Sequence, residues 1–164
     1  MDQLEVIITK EKTTAEVVMK EGKLVPDELD CVNFYINGKS LIEMVGEQLH
    51  KDSDTFSAPN YGYLGLDPKD ILLPYSNILI EPDKTESCFK EENGKILVSR
   101  CELCGEALCS GFALRITVEK NKVIWDQIGY WHDTRIEGVV GPFEFDRKEY
   151  EQALRIENAK NQAG

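Results

Sequence analysis

The sequence contains no long apolar run. Its longest, such as Ile71–Leu73 and Ile78–Ile80, fall far short of the roughly 20 residues that a membrane-spanning helix needs. The opening Met-Asp-Gln-Leu-Glu-Val lacks a basic segment leading into an apolar stretch. No secretion signal is therefore expected, and a cytoplasmic location is. Histidine is scarce, with only His50 and His132. There is no Gly-x-Ser-x-Gly elbow, no His-Glu-x-x-His and no Gly-x-Gly-x-x-Gly. Gly38-Lys39-Ser40 lacks the upstream glycine of a phosphate-binding loop. These absences remove the signatures of serine hydrolases, zinc proteases, dinucleotide enzymes and nucleotide-triphosphate binders, and no catalytic activity is expected. There are no internal repeats, low-complexity tracts or acidic tail.

What is present is acid. Thirty Asp and Glu stand against nineteen Lys and Arg, a formal net charge of −11 over 164 residues. The hydrophobic fraction of 41% is ordinary for a globular protein, so the acidity does not signal disorder. The excess is spread: ten acids to five bases in residues 1–50, nine to six in 51–100, eleven to eight in 101–164. Any negative patch must be assembled by the fold. Phosphates would be repelled, which argues against nucleic acid and anionic membranes as partners and favours basic proteins. Net charge also serves solubility without any partner.

At this length a single domain, 1–164, is expected. Leu4–Thr9 and Thr14–Met19, with the polar Lys10–Thr13 between them, read as a hairpin. Val32–Ile36 reads as a strand before the turn signal Asn37-Gly38. Ser40 with Glu43 forms a capping box for a helix over about 41–50, whose Leu41, Met44, Val45 and Leu49 recur at helical spacing. Residues 51–70 read as loop, with Phe56, Tyr61 and Tyr63 as satellite core; Asp67-Pro68 starts a short helical turn. Asn77–Ile80 is a further strand candidate.

Lys95–Arg100, Phe112–Glu119 and Val123–Tyr130 read as an antiparallel meander. Phe112, Leu114, Ile116 and Val118 alternate with polar residues, predicting one buried and one wet face. Trp125 is expected in the core. Asp146 with Glu149 forms a second capping box, and about 158–164 is expected to fray. The sum is an α+β domain, mainly antiparallel sheet with two helices packed on it.

The cysteines are the strongest chemical candidate. Cys101, Cys104 and Cys109 cluster, with Cys88 upstream. Zinc wants four ligands, usually as two close pairs, and only one Cys-x-x-Cys is present. A redox Cys-x-x-Cys opens a helix, for which the segment before Phe112 leaves no room. The plain reading is small apolar side chains at a strand end and turn. No metal or cofactor is expected, and a zinc-binding or thiol-redox module around Cys101–Cys109 stands as the alternative function.

Three segments carry a resemblance: Phe34-Tyr-Ile-Asn-Gly-Lys-Ser-Leu41, Lys95–Trp125 with its Cys/Gly-rich turn, and Gly141-Pro-Phe-Glu-Phe-Asp-Arg-Lys-Glu-Tyr150. Together they resemble a family of small acidic bacterial proteins of the toxin-immunity or antitoxin type. The added cysteines and the long 51–92 region depart from that pattern. The resemblance implies a binder that masks a toxin, often a basic nuclease. On the charge argument, the acids expected to meet such a partner lie in loops: Glu81, Asp83, Glu86, Asp126, Asp133 and Glu137. Tyr130 and Trp131 are the expected anchors.

Overall fold

The computed structural model describes residues 1–49, 63–101, 111–132 and 137–162. The fold is α+β, built, among the described residues, of three mainly antiparallel sheets with short helices packed on them.

The first element is one long hairpin. β1 (Leu4–Lys20) and β2 (Lys23–Ile36) pair from Leu4↔Ile36 to Lys20↔Lys23, with an irregularity between Lys12 and Val17. The turn is Glu21-Gly22, both at positive φ (50° and 74°), as a two-residue hairpin loop requires. The expected turn at Lys10–Thr13 is corrected. Lys10, Glu11 and Lys12 stay in the ladder, where Asp30 and Glu28 face the two lysines across the pair and Lys10 meets Asp30 at 3.2 Å.

Asn37-Gly38 turns as read, at φ 54° and 84°, into β3 (Lys39–Ser40), which pairs back onto β2. α1 (Leu41–Leu49) follows, and Ser40 Oγ accepts the Glu43 N–H at 3.3 Å. β4 (Tyr63–Gly65) leads to the one-turn α2 (Pro68–Ile71), capped by Asp67 Oδ1 accepting the Lys69 N–H at 2.9 Å. Three helices, not two, therefore stand among the described residues. Phe56 and Tyr61 lie outside the described residues, whereas Tyr63 is half-buried against the core.

Asn77–Ile80 is a turn rather than a strand. Ser76 Oγ accepts the Ile78 N–H at 3.2 Å and the Ile80 N–H bonds Asn77 O at 3.0 Å, so the backbone is satisfied locally while Ile78 and Leu79 are buried. Lys95–Arg100 divides into β5 (Ile96–Leu97) and β6 (Ser99–Cys101), which serve different sheets: β6 pairs with β4, and β5 with β7 (Phe112–Val118). β8 (Lys122–Tyr130) and β9 (Phe143–Asp146) complete a sheet ordered β5-β7-β8-β9. Alternation holds in β7 only beyond Leu114, since Phe112, Ala113 and Leu114 are all buried.

α3 (Arg147–Ala153) is capped by Asp146 Oδ2, which accepts the Glu149 N–H at 3.1 Å. The segment expected to fray contains a short strand. β10 (Lys160–Gln162) pairs in parallel with Ile7–Thr9 of β1, helped by Lys160–Glu5 at 2.9 Å. Residues 163–164 lie outside the described residues.

The core joins the sheets. Trp125 is fully buried, as read, with ring centroids 5.3 Å from Phe34, 5.2 Å from Phe145 and 6.0 Å from Tyr150. Its indole N–H donates to the Tyr150 hydroxyl at 3.1 Å, which in turn donates to Leu79 O at 2.6 Å. One polar chain thus ties β8, α3 and the 77–80 turn, and burial pushes the Tyr150 phenol well above its ordinary pKa. β4 is held to β2 by the Val32 N–H donating to Leu66 O at 2.8 Å. Gly65 makes this possible, because a Cβ there would fall 1.9 Å from Val32 O. Among the described residues no helix is long and apolar enough to cross a membrane.

Candidate functional site

The structure separates the residues read as partner-binding into groups. Glu81, Asp83 and Glu86 project from the loop after the 77–80 turn, all exposed. Among the described residues no cation pairs with any of them. Their loop is braced from within. Pro82 is buried and opens a single 3₁₀ turn. The Thr85 hydroxyl donates to Glu81 O at 2.8 Å, and the Lys90 ammonium to Pro82 O at 2.9 Å. A cavity of about 250 Å³ opens between this loop, Val118 at the end of β7 and Arg147 at the start of α3.

Tyr130 ends β8 and Trp131 follows it, beside the opposite end of β7. Tyr130 pairs with Phe112, and the Trp131 N–H donates to Gly111 O at 2.9 Å. Seven residues of strand place the acidic loop and this aromatic pair about 20 Å apart along β7. The two groups do not form one patch. Trp131 is half-buried against the core, its ring 4.3 Å from that of His132.

Two of the six acids change character. Asp126 is not in a loop; it lies within β8 opposite Arg115, just before the bulge at Gln127 (φ 51°). One of its carboxylate oxygens is buried without a hydrogen-bond partner. Glu137 is not a free acid. It holds the Lys95 ammonium at 2.8 Å, and the Lys95 side chain is 1% exposed. Lys95 also reaches Tyr130 O at 3.4 Å. A charge that deep needs a partner, and Glu137 supplies it. Asp133 lies outside the described residues.

Three buried polar residues, Glu91, Lys95 and Arg100, were not among the residues read as functional. Glu91 is buried beside β8, and one of its oxygens accepts the His132 backbone N–H and lies 3.3 Å from His132 Nδ1. Its other oxygen is buried without a partner. His132 itself is in the left-handed region (φ 57°), with its imidazole turned largely outward. No Ser, Thr or Cys among the described residues bonds it. Lys95 is the second such residue. Arg100 is the third: its guanidinium donates to Asp30 O at 2.6 Å and to Cys31 Sγ at 3.4 Å, and its Nε has no partner.

Of the clustered cysteines, Cys101 is buried at the end of β6 and Cys88 is exposed on a turn. Cys104 and Cys109 lie outside the described residues. Cys31 is buried; burial pushes its thiol up, against the pull of the neighbouring Arg100. The Tyr63 phenol is pushed up to about 12 by burial, with Tyr130 and Cys101 adding to it. Among the described residues no three His, Cys, Asp or Glu side chains gather to hold a metal. No family model, curated protein or solved structure matches this chain.

Proposed function

We propose that this chain is an acidic binding protein of the immunity or antitoxin type, which neutralises a basic protein toxin by masking its active surface. The observation that carries the reading is the loop bearing Glu81, Asp83 and Glu86. It presents three exposed carboxylates with no cation committed to them among the described residues, on a backbone already fixed by Pro82, Thr85 and Lys90. A pre-ordered charged loop loses little freedom on binding, so more of its attraction appears as affinity. The overall charge of −11 adds long-range steering toward a cationic surface and away from phosphate.

The test is a growth assay built on the adjacent reading frame of the source genome. A secreted protein with a basic C-terminal domain should be encoded there. Expression of that domain should arrest growth, and co-expression of this chain should relieve the arrest. The variant E81Q/D83N/E86Q should relieve it less while remaining folded. Arrest that persists with the unmodified chain would overturn the proposal.

A further inference from the structure

Glu91 and His132 stand 41 positions apart in sequence and meet just beyond the end of β8. Glu91 Oε1 accepts the His132 backbone N–H and lies 3.3 Å from the imidazole Nδ1. The Glu91 side chain is only 4% exposed, yet its Oε2 has no hydrogen-bond partner. A buried carboxylate oxygen left without a donor is an uncompensated charge, and a bound cation compensates it.

The surroundings hold the two side chains together and keep other cations away. His132 takes a left-handed backbone (φ 57°), a conformation that recurs at functional sites, and its ring packs 4.3 Å from that of Trp131. The nearby Lys95 ammonium is committed to Glu137 at 2.8 Å and Tyr130 O at 3.4 Å, and Lys90 to Pro82 O at 2.9 Å.

A neutral imidazole nitrogen beside a carboxylate oxygen suits a zinc-class cation, whereas Mg²⁺ and Ca²⁺ favour oxygen alone. Two such donors, each about 2.0–2.1 Å from a tetrahedral centre, stand about 3.3 Å apart, and Nδ1 and Oε1 have that separation. The His132 N–H on Oε1 is an outer contact of the kind that steadies a ligating carboxylate. No third His, Cys, Asp or Glu joins the pair among the described residues, so water fills the remaining positions on the open side, where the His132 side chain is 63% exposed. We infer that Glu91 and His132 form an open site for a divalent transition-metal cation of the zinc class. The site is separate from the Glu81–Glu86 loop and does not depend on the function proposed above.

Co²⁺ is the probe, titrated into the full-length reduced chain near neutral pH and followed by visible absorption and ¹H–¹⁵N correlation spectra. One equivalent should bind, with ligand-field bands, no thiolate charge-transfer band, and paramagnetic broadening centred on the Glu91 and His132 N–H groups. Zn²⁺ should displace it and Mg²⁺ should not. H132N keeps a residue that tolerates the left-handed backbone, and should weaken binding by at least about tenfold. E91Q should weaken it as well, and H132N carries the test alone if E91Q does not fold. Unchanged affinity in H132N would overturn the site, as would broadening spread over the exposed acids. A thiolate band lost in C104S would place the metal on the cysteines instead. No binding by the unmodified chain would leave Glu91 and His132 as an ion pair and nothing more.

Discussion

At the scale of single residues, the acids of this protein divide by what stands beside them. Glu137→Ala would leave the Lys95 ammonium buried and unpaired, and should cost about 3–5 kcal/mol in urea unfolding. Glu81→Gln, on the surface, should stay within about 0.5 kcal/mol. A binding screen that scored both as interface residues would confuse collapse of the fold with loss of contact, and the unfolding midpoint separates them. The thiols divide in the same manner. Cys88 is exposed, whereas Cys31 is buried with its thiol pushed up. The thiolate is the species that attacks a disulfide reagent, displacing its other sulfur as the leaving thiolate, so Cys88 should label at least about tenfold faster than Cys31 in the native protein, measured by peptide mapping after a short pulse. The Glu137–Lys95 pair spans 42 positions, and nothing in the local sequence links the two. Lys95 did sit at the head of the apolar run Ile96–Val98, the one sign that it was drawn inward.

At the scale of elements, the crossing of β4 over β2 depends on a missing side chain. Gly65→Ala should push β4 off Val32 and cost about 1–3 kcal/mol. Faster exchange of the Val32 N–H, which bonds Leu66 O, would locate the damage; normal protection there would show that the crossing tolerates a methyl group. Elements closed by local chemistry were legible: the Asn37-Gly38 turn, the Ser40 and Asp146 caps and the Asp67-Pro68 start. The pairing of β7 with β8 was legible because apolar residues alternate with polar ones along β7 beyond Leu114. Elements decided by distant partners were not. Lys10–Thr13 reads as a turn until Glu28–Asp30 are placed opposite. Lys160–Gln162 has no strand signature and becomes one only by meeting the edge of β1. Asn77–Ile80 shows the converse, since its apolar residues are buried from a turn, and burial alone does not make a strand. The candidate site was half legible: composition named the acids, but only the fold shows which keep a free charge.

At the scale of the whole molecule, the charge of −11 sets how the protein meets its surroundings. Association with a basic partner should slow by about tenfold between low and physiological salt, while dissociation changes less. The variant E81Q/D83N/E86Q should lower the association rate and flatten its salt dependence, both read by surface plasmon resonance. A salt-independent rate would show that the field plays no part in the encounter. The outer edge of β1 has a different consequence, because the strand that seals it, β10, is translated after every other described strand. During synthesis this edge of β1 waits with unpaired N–H and C=O groups until Lys160–Gln162 emerge. Nascent chains stalled before Lys160 are therefore the species most prone to stick edge to edge, and ribosome-associated chaperones would have their work at that moment.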